Sequence, residues 1–319
     1  MSPEVIIDKK KKFALSLIYV FLFFSSFTFF VYYTFPYNVL KEAITSIVAD
    51  ATGIQLRIQE LGPSFPLGLE ATNVKVVPSS ANAKPIEFRE VEVGIGVLNL
   101  LIGRLAIDVG LMSQNKGYAN ISSRHGILDL ALNQVVMPKK VELEASRFDV
   151  GNLITFFLTE QGNSPDANPM LGPLLAQIGM KANLEGYVHL DLDADDISHS
   201  QGDVSLKLND ALLLLSQSSL GLGDQKFKKA LIKAKMDNGK LNFSKESGFQ
   251  TQELTIDLNG DVALNKLIEK STLNMSINLK MEQALKDQMG FILEVVGGKD
   301  GQAQFKINGT LANPSPVTM

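Results

Sequence analysis

Two hydrophobic patterns divide this chain. From Phe13 to Phe35 apolar residues run without a single charge, and the polar members are Ser, Thr and Tyr. From Ile54 onward apolar and polar residues mostly alternate, the period of strands with one wet and one dry face. The first stretch is close to the ~20 residues that a helix needs to cross a bilayer core. Such a helix satisfies its own backbone hydrogen bonds, so lipid accepts it. Lys9, Lys10, Lys11 and Lys12 directly precede Phe13. The positive-inside rule then puts the N-terminus in the cytoplasm. A cleaved signal would have a shorter apolar core, about 7–15 residues, and a small-residue cleavage site. Here the run ends in Val31-Tyr32-Tyr33-Thr34-Phe35-Pro36, and the tyrosines suit a membrane interface. The expected organisation is a basic cytoplasmic tail over 1–12, an anchor over 13–35 and a β-rich domain over 36–319.

Past the anchor, Leu40, Ala43, Ile44, Ile47 and Val48 recur at helical spacing, predicting a helix over Val39–Ala51 that stops at Gly53. Ile54–Ile58 alternates as a strand. Pro63, Pro66 and Gly68 predict a turn, and Leu69–Val76 and Glu87–Val97 predict strands separated from Leu105–Val109 by a short break. A unit then recurs in which a glycine at a turn precedes a strand of period two, at Gly186, Gly202, Gly239, Gly260 and Gly301. The spacing is irregular, so the units are antiparallel strands rather than a solenoid. Helices are expected over Asp149–Leu158, over Met170–Met180 with a break at Pro173, and over Met281–Val296. The Asn313-Pro314-Ser315-Pro316 tail cannot extend a central strand and is expected to fray.

Composition narrows the function classes. The net charge is −4. Residues 1–35 hold four lysines, Glu4 and Asp8, so the remainder carries −6. That balance opposes a nucleic-acid partner, and it gives no polybasic patch for anionic headgroups apart from the lysines before the anchor. The chain has no cysteine, which removes thiolate ligands and nucleophiles.

Catalytic chemistry is not legible. His125, His189 and His199 have no metal-ligand spacing, and no H-E-x-x-H motif occurs. Asp191, Asp193, Asp195 and Asp196 form the sharpest polar cluster, but the glycine and terminal glutamate of a calcium loop are missing. They read as a solvated strand end and turn. Gly221-Leu222-Gly223-Asp224 precedes the lysines of 226–235 without forming a phosphate loop. Those lysines suit the wet face or edge of a strand. No G-x-S-x-G elbow occurs. The expectation is a non-enzyme with no cofactor or metal.

The order of features carries a resemblance. A basic tail and one anchor lead to Phe35-Pro36 and a helix ending at Thr52-Gly53. Leu61-Gly62-Pro63-Ser64-Phe65-Pro66-Leu67-Gly68-Leu69 follows, then a strand ending in Val76-Val77-Pro78. Val97-Leu98-Asn99-Leu100-Leu101-Ile102-Gly103 forms a leucine-rich turn, and Lys299–Leu311 with Pro314 closes the chain. In this order the chain resembles the type II secretion system protein N family, which is itself similar to AsmA-like β-rich proteins. The resemblance implies a bacterial inner-membrane protein whose periplasmic domain assists exoprotein secretion and contacts other secretion components. The AsmA-like similarity implies an alternative: a groove-like sheet that moves phospholipid between membranes.

The expected fold is mainly β: one N-terminal transmembrane helix, then a large curved antiparallel sheet with a few peripheral helices. The two functions predict different faces. A protein-binding component fills its apolar face with its own helices, while a lipid carrier leaves an apolar groove open. Leu190, Leu192, Leu206, Leu208, Val262 and Leu264 are the expected apolar-face residues of such a groove.

Overall fold

The computed structural model describes residues 3–78, 84–126, 137–163, 172–193, 196–215, 223–283, 285–287 and 298–318. Two compact units emerge, residues 1–44 and 45–319. The first is dominated by helix α1, Pro3–Thr34, whose apolar run projects on every side: Phe21, Phe29 and Tyr33 are all strongly exposed. Pro36 ends it, and α2 follows over Tyr37–Thr52. Gly53, at φ 70°, stops α2 as its sequence predicts. Among the described residues no single helix is long and apolar enough to cross a membrane. Residues 18–34 and α2 meet that condition together as a bent pair.

The second unit is one antiparallel sheet of seventeen strands, described here in chain order. They are β1 Gln55–Arg57, β2 Glu60–Ser64, β3 Gly68–Val77, β4 Ile86–Ile95, β5 Arg104–Ser113, β6 Tyr118–Gly126, β7 Lys140–Asp149, β8 Gly179–Asp191 and β9 Gln201–Leu214. Next come β10 Gln225–Lys226, β11 Lys229–Asp237, β12 Lys240–Phe243, β13 Gly248–Gln250, β14 Leu254–Ala263, β15 Thr272–Met281, β16 Gln302–Thr310 and β17 Pro314–Thr318. Three pairs of consecutive strands each act as one interrupted strand. β1 and β2 both pair with β3, β10 and β11 with β9, and β12 and β13 with both β11 and β14. The sheet is therefore a meander of fourteen ranks, each paired to its sequence neighbours.

Bulges keep apolar side chains on one face. Strict alternation over long strands would be broken by any odd-length irregularity, turning the apolar set outward. At Arg147, φ 48°, the register of β7 on β8 shifts, and Ala145 and Phe148 both face inward. At Asp210, φ 50°, two residues of β9 oppose Ala182, and Leu208 and Ala211 share the inner face. Ala71 and Val74 flank Asn73, φ 48°, and both face inward with no register shift on β4; the irregularity at this level is in β4, between Phe88 and Glu90 against β5.

Three recurring glycines are not at turns: Gly202 is the second residue of β9, ladder-paired with Leu190 and Met236. Gly186 and Gly260 lie inside β8 and β14 at φ 137° and 123°, where a Cβ would meet the Ser205 and Asn274 carbonyls. Gly239 and Gly301 do sit at turns, after Asn238 and Asp300, with positive φ at both central residues. That conformation matches the strand twist in a two-residue hairpin.

Other elements depart from the sequence reading. Pro63 is inside β2 instead of a turn. The helix expected over Asp149–Leu158 starts two residues later and runs further, as α4, Gly151–Asn163. Pro173 does not break a helix but stands in the first turn of the short α5, Gly172–Leu175, a position where its missing N–H costs nothing. The strand β8 already begins at Gly179. Met281 ends β15 and is not helical. Residues 283 and 285–287 are helical, and 284 and 288–296 of that expected helix lie outside the described residues. The lysines at 229, 233 and 235 belong to an interior rank, so they line a face and not an edge. The Pro-rich tail forms β17.

The prolines of β17 lie on a free edge among the described residues. Thr310 and Asn313 exchange backbone hydrogen bonds of 3.2 and 3.0 Å. Stepping by two along the ladder, the next hydrogen-bonded pairs are Asn308–Ser315 and Lys306–Val317. Pro314 and Pro316 therefore fall where the backbone nitrogen points away from β16, and both outward donors are missing. The last strand pairs inward but presents a poor template outward.

Two outcomes follow. Replacing Pro314 and Pro316 with Thr restores both outward donors and is expected to produce concentration-dependent oligomers by size-exclusion light scattering. An unchanged mass at all concentrations would refute edge protection. Phe156→Ala, which empties a buried site under α4, is expected to cost about 3–5 kcal/mol in denaturant unfolding.

Candidate binding surface

One rung crosses the whole sheet. Cross-strand partners share a face, so the registers link Pro63, Leu69, Val93, Val109, Ile121, Leu143 and Val188. The rung continues through Val204, Ala234, Phe243, Gly260, Met275, Ile307 and Pro316. Each of the fourteen ranks contributes an apolar residue or a glycine. At about 4.8 Å between strands this stripe runs about 62 Å, against about 30 Å for a bilayer's hydrocarbon core. A parallel rung links Leu190, Gly202, Met236, Leu241, Val262 and Leu273.

The opposite face is as uniformly polar. The adjacent rung reads Asp108, Ser122, Glu142, His189, Asp203, Lys235, Asn242, Asp261, Asn274 and Asn308.

Half of the inner face is covered. Helix α4 packs Val150, Leu153, Ile154 and Phe156 onto Ala71, Val74, Phe88, Ala145, Phe148, Met180 and Ala182. Small residues at 71, 119, 145, 182 and 211 let the helix approach. Thr155 fastens it: its Oγ1 accepts from the Met180 N–H at 2.8 Å and donates to the Gly151 carbonyl at 2.9 Å. Phe88 and Phe148 stack beneath with centroids 6.4 Å apart. This cluster lies toward the end of the sheet where the chain enters at Gln55.

Toward the far end the apolar face stays partly open. Val93 and Ile95 are 39% and 40% exposed. Val109, Ile121, Val188, Leu206, Phe243, Met275 and Ile307 are half-buried and belong to none of the buried clusters.

The six expected groove residues spread over these environments. Leu190, Leu192 and Leu264 join Met137 and Met236 in a second cluster, where Leu192 is buried and Met236 fully so. Leu208 packs at the margin of the α4 cluster, and Val262 is buried. Leu206 is half-buried outside the clusters. All but Leu192 and Leu264 lie on ladder-paired inner rungs. The more exposed positions, Val93 and Ile95, escape a reading based on glycine-led units because they precede the first unit.

No described residues form a group of three or more His, Asp and Glu arranged around a metal. Asp193 and Asp196 shape a turn: Asp196 Oδ1 accepts from the Ser198 N–H at 3.0 Å, and Asp193 Oδ1 from the Asp196 N–H at 3.1 Å. His199 lies 3.8 and 3.6 Å from their carboxylates. Asp195 lies outside the described residues. His189 stacks on Tyr187 on the polar face, and His125 belongs to β6.

Glu142 is the polar face's best-connected charge. Lys140 Nζ lies 2.7 Å from Oε1, and Arg124 reaches Oε2 at 3.4 Å. The Lys140 hydrogen bond, with the charges of Lys140, Arg124 and His189, holds this carboxyl below its ordinary pKa. The depressed value means that Glu142 stabilises the fold above the unfolded carboxyl pKa of about 4.3 and loses that effect as pH falls through the folded value. Glu142→Gln is expected to lower Tm at pH 7, with the gap to wild type closing below about pH 4. A gap independent of pH would assign the effect to packing.

Compared with known protein families, characterised proteins and solved structures, the chain has no match.

Proposed function

We propose that this chain is a single-pass inner-membrane protein whose sheet domain lies in the periplasm and serves a type II secretion apparatus as an accessory, non-enzymatic component. Its partners are other secretion proteins. The carrying observation is the two-faced meander itself. The segments behind the family resemblance occupy set places in it: the helix stopped at Gly53, the β2–β3 hairpin with Phe65-Pro66 at its tip, the leucine-rich helix α3, Val97–Leu101, and the closing strand β16. The polar outer rung offers partners a wet, charged surface, which suits reversible assembly. Edge pairing is disfavoured at β17, where two outward donors are missing, so the faces, the ends and the β1–β2 edge are the contact surfaces. The apolar run 13–35 with Lys9–Lys12 supplies the anchor.

A second reading is favoured by one specific observation. The inner stripe stays partly open beyond α4, and a soluble domain rarely leaves so long an apolar strip uncovered. On this reading the stripe holds phospholipid acyl chains, as in the AsmA-like alternative. The inner face divides between the two expectations: near the chain's entry it is filled by α4 as in a protein binder, and at the far end of β4, where Val93 and Ile95 are exposed, it is left accessible as in a lipid carrier.

The experiment is a deletion strain. Exported enzymes are expected to accumulate in the periplasm and to return to the medium when residues 1–319 are restored. Normal export in the deletion would sink the secretion reading. Purified protein is then extracted and its phospholipid weighed: near-stoichiometric lipid supports the second reading, and none refutes it.

A further inference from the structure

The end of the sheet farthest from Gln55 carries a second apolar surface, separate from the inner stripe. Two neighbouring loops build it. The β2–β3 tip presents Phe65 at 87% and Leu67 at 42% exposure, and α3 with its exit presents Leu98 at 79% and Ile102 at 65%. The loops are joined: the Ile95 N–H donates to the Leu67 carbonyl at 2.7 Å, just before α3 begins. Large apolar side chains this exposed, on adjacent protruding tips, are unusual in a folded domain.

Basic groups stand beside them on the next three strands. Arg104 opens β5 directly after Ile102-Gly103. Arg124 lies on β6 opposite Ala106, and Lys140 on β7 lies directly opposite Arg124. The Lys139 N–H donates to the Arg124 carbonyl at 2.7 Å, bringing a fourth cation to this corner. Glu142 bridges Lys140 and Arg124, and Asp191 on β8 lies directly opposite Lys140, so the two carboxylates offset part of the charge. Asp108 lies four residues down β5 from Arg104, about 13 Å away along the strand. The sequence scatters these cations over 36 positions, from 104 to 140, so no basic run announces them.

We propose that this end of the sheet docks onto an anionic lipid surface. Phe65, Leu67, Leu98 and Ile102 enter the boundary between headgroups and acyl chains, and Arg104, Arg124, Lys139 and Lys140 meet the phosphates. Protruding apolar tips beside clustered cations fit a lipid interface, which is fluid enough to accept separate side chains and negative enough to hold the cations. Strands of about ten residues put this end about 33 Å from the entry of the chain at Gln55. The contact is independent of what the inner stripe holds.

The chain lacks tryptophan, so Phe65→Trp installs a single reporter. The full chain is held by its anchor in nanodiscs of phosphatidylcholine and mixed with vesicles of equal phosphatidylcholine and brominated phosphatidylglycerol. The indole emission is expected to shift to the blue and to be quenched by the vesicle lipid. Phe65→Ser with Leu98→Ser is expected to cut vesicle capture about tenfold at unchanged Tm, since both sites are exposed. Arg104→Glu is expected to weaken capture, and added salt to weaken it further. An unquenched indole, or equal capture by the double serine variant, overturns the proposal. Disc-to-disc pairing without vesicles would instead assign the patch to a second copy, and lost export with capture unchanged would assign it to a protein; both overturn it. Failure of the chain to enter discs counts against the anchor alone, and the same vesicles are then mixed with the chain in solution.

Discussion

The structure depends on one constraint: every rank must keep its apolar residues on the same side as those of its neighbours. Strand side chains alternate, so a single unmatched residue would turn a strand inside out. Across fourteen ranks this would fail often if strands were uniform. The chain meets the constraint with irregularities inside strands, at the positive-φ residues Arg147 and Asp210 and between Phe88 and Glu90 of β4, each absorbing a parity error. The inner stripe, the seat of α4 and the unbroken polar rung outside all follow from that correction.

Covering the inner face is a separate matter from building it. α4 seals the part nearest the entry of the chain, where alanines make room and Thr155 fixes the helix to β8. Beyond it, valines and isoleucines paired across adjacent strands are half-buried or exposed and remain partly accessible. The division gives the domain a firm half that supplies stability and an accessible half that is available for ligands or partners. The polar face, crossed by the Lys140–Glu142–Arg124 group, remains hydrated throughout.

Much of the fold was legible because alternation is a local signal. The strands after Gly239 and Gly301 begin where period two begins, and α2 ends at the glycine that its pattern indicates. What escaped was set by tertiary contact. Gly186 and Gly260 look like turn residues, yet neighbouring carbonyls claim the space that their side chains would occupy. Pro314 and Pro316 look like fraying signals, yet an edge position accepts them because their nitrogens face outward. The candidate surface was legible as a face and not as a site. Leu190, Leu206 and Val262 lie on the inner side as alternation requires. Which inner residues remain accessible depends on where α4 lands, and no local pattern records that. The corner at Phe65, Leu98 and Arg104 escaped for the same reason: the ladder assembles it from distant positions.

The meander connects each rank to its sequence neighbours and to no distant strand. Among the described residues such a sheet has no closing partner. A hairpin gained or lost at a tip would add or delete two ranks, changing the stripe's length by about 9.6 Å and leaving other registers intact. The domain is thus a ruler whose length evolution can reset in fixed steps, and the distance it spans is an inherited quantity separable from what it binds.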